Sequence, residues 1–170
     1  MLGSIASVAA GFVETYGLIA LFAIFALEGA LVGKVIPTRT LFITAVLLLG
    51  GSLVGYLSLF VTAVIGATIG QCILFILIRS PYIDENRLFR RLRLKDEWVE
   101  KTNGWFEEWG LPALLVTNTL PGVRGYLIIP VALSRTPTYK FPVFSIAGTV
   151  LYIGALVAIG SGAETAIDAI

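Results

Sequence analysis

The sequence predicts an all-α integral membrane fold, a single domain of transmembrane helices and two opposed re-entrant helical hairpins with proline tips. Three observations carry this expectation. Of 170 residues, 57% are apolar and 14% charged, and the mean hydropathy is +0.91. A soluble domain carries about 45–50% apolar and about 25% charged residues. The charges are also clustered, with seven of the twelve basic and seven of the eleven acidic residues between Arg79 and Glu108. Finally, two otherwise apolar segments are broken by proline, glycine and arginine, which an ordinary lipid-facing helix does not accommodate.

The same composition excludes several function classes. A net charge of +1 offers no basic face for nucleic acid. With no histidine in the chain, Ser-His-Asp chemistry, His-ligated zinc or haem and His-dependent lipid phosphatases are removed. Cys72 is the one cysteine and lies in an apolar run, so neither a disulfide framework nor a cysteine-rich metal site is available. No glycine-rich phosphate loop followed by Lys-Ser/Thr occurs. No cofactor, metal site or catalytic residue is expected.

Residues 1–27 are apolar, carry Glu14 and no Lys or Arg, and so lack the basic start of a secretory signal. They are expected to form an N-terminal apolar helix, spanning or surface-bound, that Glu28 interrupts. From Thr40 to Ile78 there is no charge. At about 1.5 Å per residue this run is nearly twice the hydrocarbon thickness, so it must be broken. Gly50-Gly51-Ser52 is the natural break. That leaves a re-entrant hairpin over 28–50, with its tip near Pro37-Thr38-Arg39, and a full span over 53–78.

The charged stretch that follows is expected to hold a cytoplasmic or interfacial helix over 84–108. Its Arg/Leu run, Arg87 to Leu94, suits either anionic headgroups or a solvated connecting helix. Between 111 and 134 the chain is apolar yet holds Pro112, Pro121, Gly122, Arg124, Gly125 and Pro130. This reads as a second re-entrant hairpin, with its tip near Leu120-Pro121-Gly122. A second uncharged span fits 141–163, where Pro142 sits near the start and its missing amide is tolerated.

The order acid, apolar arm, proline tip with a nearby arginine, apolar arm and full span thus occurs twice. Glu28, Pro37 and Arg39 mark the first copy, and Glu108, Pro121 and Arg124 the second. Repeats with discontinuous helices point to a binding site near the bilayer midplane. The basic residues Arg79, Arg87, Arg90, Arg91, Arg93, Lys95, Lys101, Arg135 and Lys140 fall on one side in this arrangement, which the positive-inside rule makes cytoplasmic. The hairpins then enter from opposite sides.

Ionic side chains at membrane depth are costly unless paired or hydrated. Arg124 can hold an anionic group by two parallel hydrogen bonds, with amides freed at Pro121-Gly122 as further donors; otherwise it snorkels or pairs with Glu28. Glu28 can load and release a proton, or serve as counter-ion to Arg39 or Arg124. Arg39 is expected half-exposed at its tip, and Lys34 as an interfacial anchor. Asn118 and Thr119 can donate to a headgroup or cap the broken helix. Gly66 and Gly70 form a GxxxG spacing, read as helix packing. Trp98, Trp105, Trp109 and Tyr139 suit an interfacial belt.

In this order the motifs resemble the DedA family of membrane proteins, also called the SNARE-associated or VTT-domain family, from about Glu28 to Gly160. The family shows a glutamate and a Pro-Gly-acid tip where Glu28 and Pro37-Thr38-Arg39 stand. Its Gly-x3-Gly-Asp motif ending in arginine corresponds to Gly66, Gly70, Gln71 and Arg79. Its arginine-aromatic-x-Pro-x-x-Arg signature corresponds to Asn118 through Pro121 to Arg124, preceded by Phe106-Glu107-Glu108-Trp109-Gly110. Phe141, Gly148 and Tyr152 match the final span. Three ionisable positions have changed: the tip acid is Arg39, the aspartate Gln71 and the first signature arginine Asn118.

The resemblance implies opposed re-entrant hairpins and movement of lipid. Bacterial members are associated with returning polyprenyl-phosphate carriers across the membrane, and eukaryotic relatives with phospholipid scrambling. A membrane lipid transporter for a phosphorylated lipid is therefore expected. Arg124, Arg39, Glu28, Asn118, Thr119, Pro37, Pro121 and Gly122 would form the binding site, and Arg39 would supply the positive charge that Asn118 lacks. Proton or sodium coupling through Glu28 and homo-oligomerisation stay open. The alternatives are a proton- or sodium-coupled small-molecule antiporter, and a membrane scaffold that binds a partner through 84–108.

Overall fold

A computed structural model describes residues 16–30, 37–49, 51–80, 96–119, 127–133 and 137–168. Among them are seven helices and no strand: α1 (Leu18–Gly29), α2 (Thr38–Leu49), α3 (Leu53–Arg79), α4 (Asp96–Trp109), α5 (Pro112–Thr119), α6 (Ile128–Leu133) and α7 (Lys140–Asp168). Residues 1–15, Lys34, the first part of the expected 84–108 helix, and the tip with Pro121, Gly122 and Arg124 lie outside the described residues.

The uncharged run breaks at its glycines. Gly51 adopts φ 54, a left-handed conformation that residues with a side chain rarely enter. Ser52 then caps α3, its side chain accepting from the Gly55 amide at 3.1 Å. With 27 residues α3 is about 40 Å long, enough to cross a hydrocarbon core with some tilt. Lys140–Gly162 of α7 is the second segment long and apolar enough to cross a membrane. Pro130 and Pro142 each occupy the third position of their helix, where no intrahelical amide is lost.

The two long helices run antiparallel. Gly154 faces Phe60, Ser145 hydrogen-bonds Gln71, and Phe141 stacks on Phe75 at 4.2 Å and 12°. Arg79 fastens this end: its guanidinium lies 5.3 Å from the Phe75 ring centre and donates to the Thr138 hydroxyl at 2.9 Å. Arg79 and Lys140 therefore share one end of the pair.

Each short helix pair divides its contacts between the long helices in the same way. α1 packs on α3 and α5 on α7, the two most extensive interfaces; α2 packs across on α7, and α6 across on α3. The first contact depends on glycine. A Cβ on Gly66 would lie 2.7 Å from the Phe22 carbonyl oxygen, and one on Gly70 or Gly29 would run into the Ala26 or Ala67 carbonyl. The GxxxG spacing is thus a packing surface. Because Phe22 meets Gly66 and Ala26 meets Gly70, α1 runs parallel to α3 and ends against Ala67 and Gln71.

α1 ends at Gly29, one residue past Glu28, and the Ala30 amide closes its last turn on the Ala26 carbonyl at 3.0 Å. One carboxylate in the final turn is tolerated where the side chain is half-buried rather than enclosed.

Two apolar clusters result. The first joins α1, α2, the first half of α3 and Tyr152, Ile153 and Leu156 of α7, with Phe25 edge-on to Phe42 at 5.4 Å. The second joins Leu74, Phe75 and Ile78 of α3 to Ala113 and Leu114 of α5, to α6 and to Phe141.

Replacing Gly70 with alanine should lower the thermal midpoint in detergent, a loss of about 1–3 kcal/mol from overpacking against backbone that cannot yield. Gly162→Ala, where a Cβ meets open space, should leave the midpoint unchanged or raise it.

Candidate functional site

Between the two apolar clusters lies a layer of buried polar side chains: Thr68 and Gln71 on α3, Asn118 on α5, and Ser145 and Thr149 on α7. Asn118, Ser145 and Thr149 are fully enclosed, and Gln71 is 1% exposed. The Gln71 Nε2 donates to Asn118 Oδ1 at 3.3 Å, and Asn118 Nδ2 donates back to Gln71 Oε1 at 3.4 Å. The Ser145 hydroxyl also donates to Gln71 Oε1. One amide oxygen thus accepts from two other helices, and α3, α5 and α7 are pinned at one level.

Local sequence makes this junction possible. Gly148 lets α5 approach α7; a Cβ there would lie 2.7 Å from the Asn118 Cβ and 2.8 Å from the Leu115 carbonyl oxygen. Pro112 opens α5, whose eight described residues bring Asn118 and Thr119 beside Gln71. The end of α1 abuts the Gln71 backbone from the other side, where a Cβ on Gly29 would lie 3.1 Å from its amide nitrogen. The last described turns of α1 and α5, one from each half of the chain, lie at the same level of α3.

The residues expected at the site divide between this junction and its surroundings. Asn118 is at its centre. Thr119, half-buried, turns its hydroxyl back to the Leu115 carbonyl at 2.9 Å, satisfying its own helix end. Glu28 is half-buried in the last turn of α1, one residue from Gly29. Pro37 precedes α2, and its carbonyl accepts from the Leu41 amide at 3.1 Å. Arg39, expected half-exposed, is exposed on the first turn of α2. The hydrogen-bond partner of Asn118 is Gln71. Arg124, Pro121 and Gly122 lie outside the described residues.

Gln71 and Asn118 are two of the three positions at which the chain departs from the family pattern, and they touch each other. The departures form one change: where the resemblance implies an aspartate and an arginine, this chain buries a neutral amide pair. In an apolar interior that exchange removes the desolvation cost of two charges and keeps reciprocal donors and acceptors. Thr68, Ser145 and Thr149 escaped the sequence reading. The available signal was the i, i+3 spacing of Thr68 and Gln71 and the i, i+4 spacing of Ser145 and Thr149, each a polar stripe on an uncharged helix.

Beside this layer, Trp105 and Trp109 of α4 and Ala113, Val116 and Thr117 of α5 line an apolar cavity of about 200 Å³. The Thr117 hydroxyl is turned inward to the Ala113 carbonyl at 2.9 Å, so the lining stays apolar.

Gln71→Leu should cost about 1–3 kcal/mol, because Asn118 and the Ser145 hydroxyl stay buried and lose their partner, and Asn118→Leu should cost less, because Gln71 keeps its bond from Ser145. The double variant should lose less than the sum of the two, and thermal unfolding of the four proteins in detergent measures this coupling.

A family model for the VTT domain matches residues 36–162. Undecaprenyl phosphate transporter A of Staphylococcus aureus is 28% identical over 156 residues, covering 88% of this chain and 75% of the relative. Undecaprenyl phosphate transporter A of Bacillus subtilis is 23% identical over 116 residues, 66% of this chain and 58% of that protein. An alkaline phosphatase-like protein of Lactococcus lactis is 25% identical over 113 residues, 63% of this chain and 53% of the relative. This chain therefore spans less than two thirds of the length of the latter two. No solved structure matches it. With the domain match covering well over half of its length, the chain belongs to the DedA, or VTT-domain, family.

Proposed function

We propose that this protein moves a phosphorylated lipid of the polyprenyl-phosphate class between membrane leaflets, as a non-enzymatic, multi-pass transporter. The observation that carries the reading is the polar junction at Gln71, Asn118 and Ser145, where the last described turns of a helix from each half lie together partway along α3. Buried polar side chains at this depth join the helices and also offer hydrogen-bonding groups to a polar headgroup. The names of the Staphylococcus and Bacillus relatives support the substrate class.

In this reading α1–α2 and α5–α6 are the re-entrant hairpins, entering from opposite sides. The matching division of contacts, each first arm on its own long helix and each second arm on the other, is what an inverted repeat produces. Arg124, four residues beyond Leu120, grips the phosphate with its guanidinium fork. Arg39, exposed at the start of α2, meets the headgroup on the other side. Glu28, near the junction, gates the passage or carries a coupling proton. The lipid tail stays outside the bundle, and the headgroup leaves chemically unchanged.

Reconstituted into vesicles, the wild-type protein should expose inner-leaflet polyprenyl phosphate to an added, impermeant phosphatase, and should do so faster than an ordinary phospholipid is exposed to a headgroup-specific reagent. Arg124→Ala should reduce the rate by about tenfold or more, and Arg124→Lys should recover only part of it, because lysine keeps the charge but not the fork. Wild-type protein, correctly folded, that moves neither lipid would overturn the proposal.

A further inference from the structure

Two hydroxyls in the polar layer stand apart. Thr68 is 8% exposed and Thr149 fully enclosed, and neither Oγ1 has a hydrogen-bond partner. A buried hydroxyl left unmet costs free energy, and threonine within a helix ordinarily bonds back to its own carbonyls, as Thr117 and Thr119 do here. Valine fills nearly the same volume without that cost, so hydroxyls at these two places need a use.

Their position suggests one. Thr68 lies one turn from Gln71 and Thr149 one turn from Ser145, and the antiparallel register that pairs Gln71 with Ser145 carries both threonines to the same side of that pair. They extend the junction from Asn118 toward the first apolar cluster. The Gln71 Oε1 already accepts twice, while each amide keeps a second N–H and each threonine a hydroxyl that has no partner. An oxyanion can engage all four of these N–H and O–H groups at once, whereas a cation could use only neutral hydroxyl oxygens.

We propose that Thr68 and Thr149, with the second N–H groups of Gln71 and Asn118, form an uncharged donor site that holds the phosphate oxygens of the lipid headgroup midway in its passage. This rests on the transport reading above. Neutral donors in a low-dielectric layer bind an anion strongly enough to admit it, yet lack the full countercharge that would retain it. Passage through the junction requires the Gln71–Asn118 bonds to open, and the amide groups so released turn to the phosphate.

The test uses the full chain in vesicles containing a polyprenyl phosphate, with the impermeant-phosphatase readout and two paired variants, Thr68→Val with Thr149→Val and Thr68→Ser with Thr149→Ser. The valine pair should slow headgroup movement by at least about tenfold, the scale of one hydrogen bond to a charged group. The serine pair, which keeps both hydroxyls, should stay within about twofold of wild type. In detergent, geranyl monophosphate should raise the thermal midpoint of the wild type and of the serine pair but not of the valine pair, each read against its own baseline. Wild-type movement unaltered in the valine pair would overturn the site and leave the transport reading intact. Absence of movement by wild-type protein would overturn both. Threonine-dependent uptake of labelled inorganic phosphate by the same vesicles, without lipid movement, would assign the site to a free anion and overturn the headgroup assignment.

Discussion

The structure depends on one requirement, that the amides of Gln71 and Asn118 meet inside an otherwise apolar interior. Neither side chain reaches water, so each must find its partner in another helix or carry an unmet polar group. That requirement fixes how closely α5 lies on α7, since only a glycine at 148 leaves room for the Asn118 side chain. It also fixes the register of α3 against α7, because Ser145 must sit where it can donate to the same oxygen. The aromatic stack of Phe75 on Phe141 and the Arg79 bond to Thr138 are consistent with that register and hold it at one end.

Buried amides impose a different physics from buried ions. An aspartate–arginine pair at this level would be held by strong attraction and opposed by a large desolvation cost, and would respond to its neighbours' charge. The amide pair is weaker, with donor–acceptor distances of 3.3 and 3.4 Å, and carries no net charge to disturb. A junction of this kind opens at modest cost and does not titrate. In the transport reading proposed above, charge-dependent steps fall to side chains outside it: Glu28, Arg39 and Arg124.

Much of the helical layout was legible because it follows from local rules. The break at Gly50-Gly51-Ser52 is a matter of backbone freedom and capping, so α3 begins within a residue of where the charge map places it. The long helices were visible as uncharged runs, and the GxxxG spacing as a packing face. The first apolar helix ends within a residue of Glu28, the break that the charge marks. Arg39 was expected half-exposed at a proline tip and is exposed, on the first turn of α2 beside the buried Thr38. The polar layer was the least legible part. Gln71 meets partners 47 and 74 residues away in sequence, and no periodicity within one helix announces a contact among three. Gln71 and Asn118 were singled out beforehand, each for the position it holds in a motif rather than for the partner it finds.

The glycine contacts carry a mechanical implication. Where α1 lies on α3 through Gly29, Gly66 and Gly70, backbone touches backbone with no side chain between to act as a bearing. Where α5 lies on α7, Gly148 instead faces the Asn118 side chain and the Leu115 carbonyl. A backbone contact as close as that of α1 on α3 leaves little room to slide, since a step drives a carbonyl into a neighbouring Cα. The hydroxyls and amides of the polar layer begin where that rail ends, at Gly29 against the Gln71 backbone.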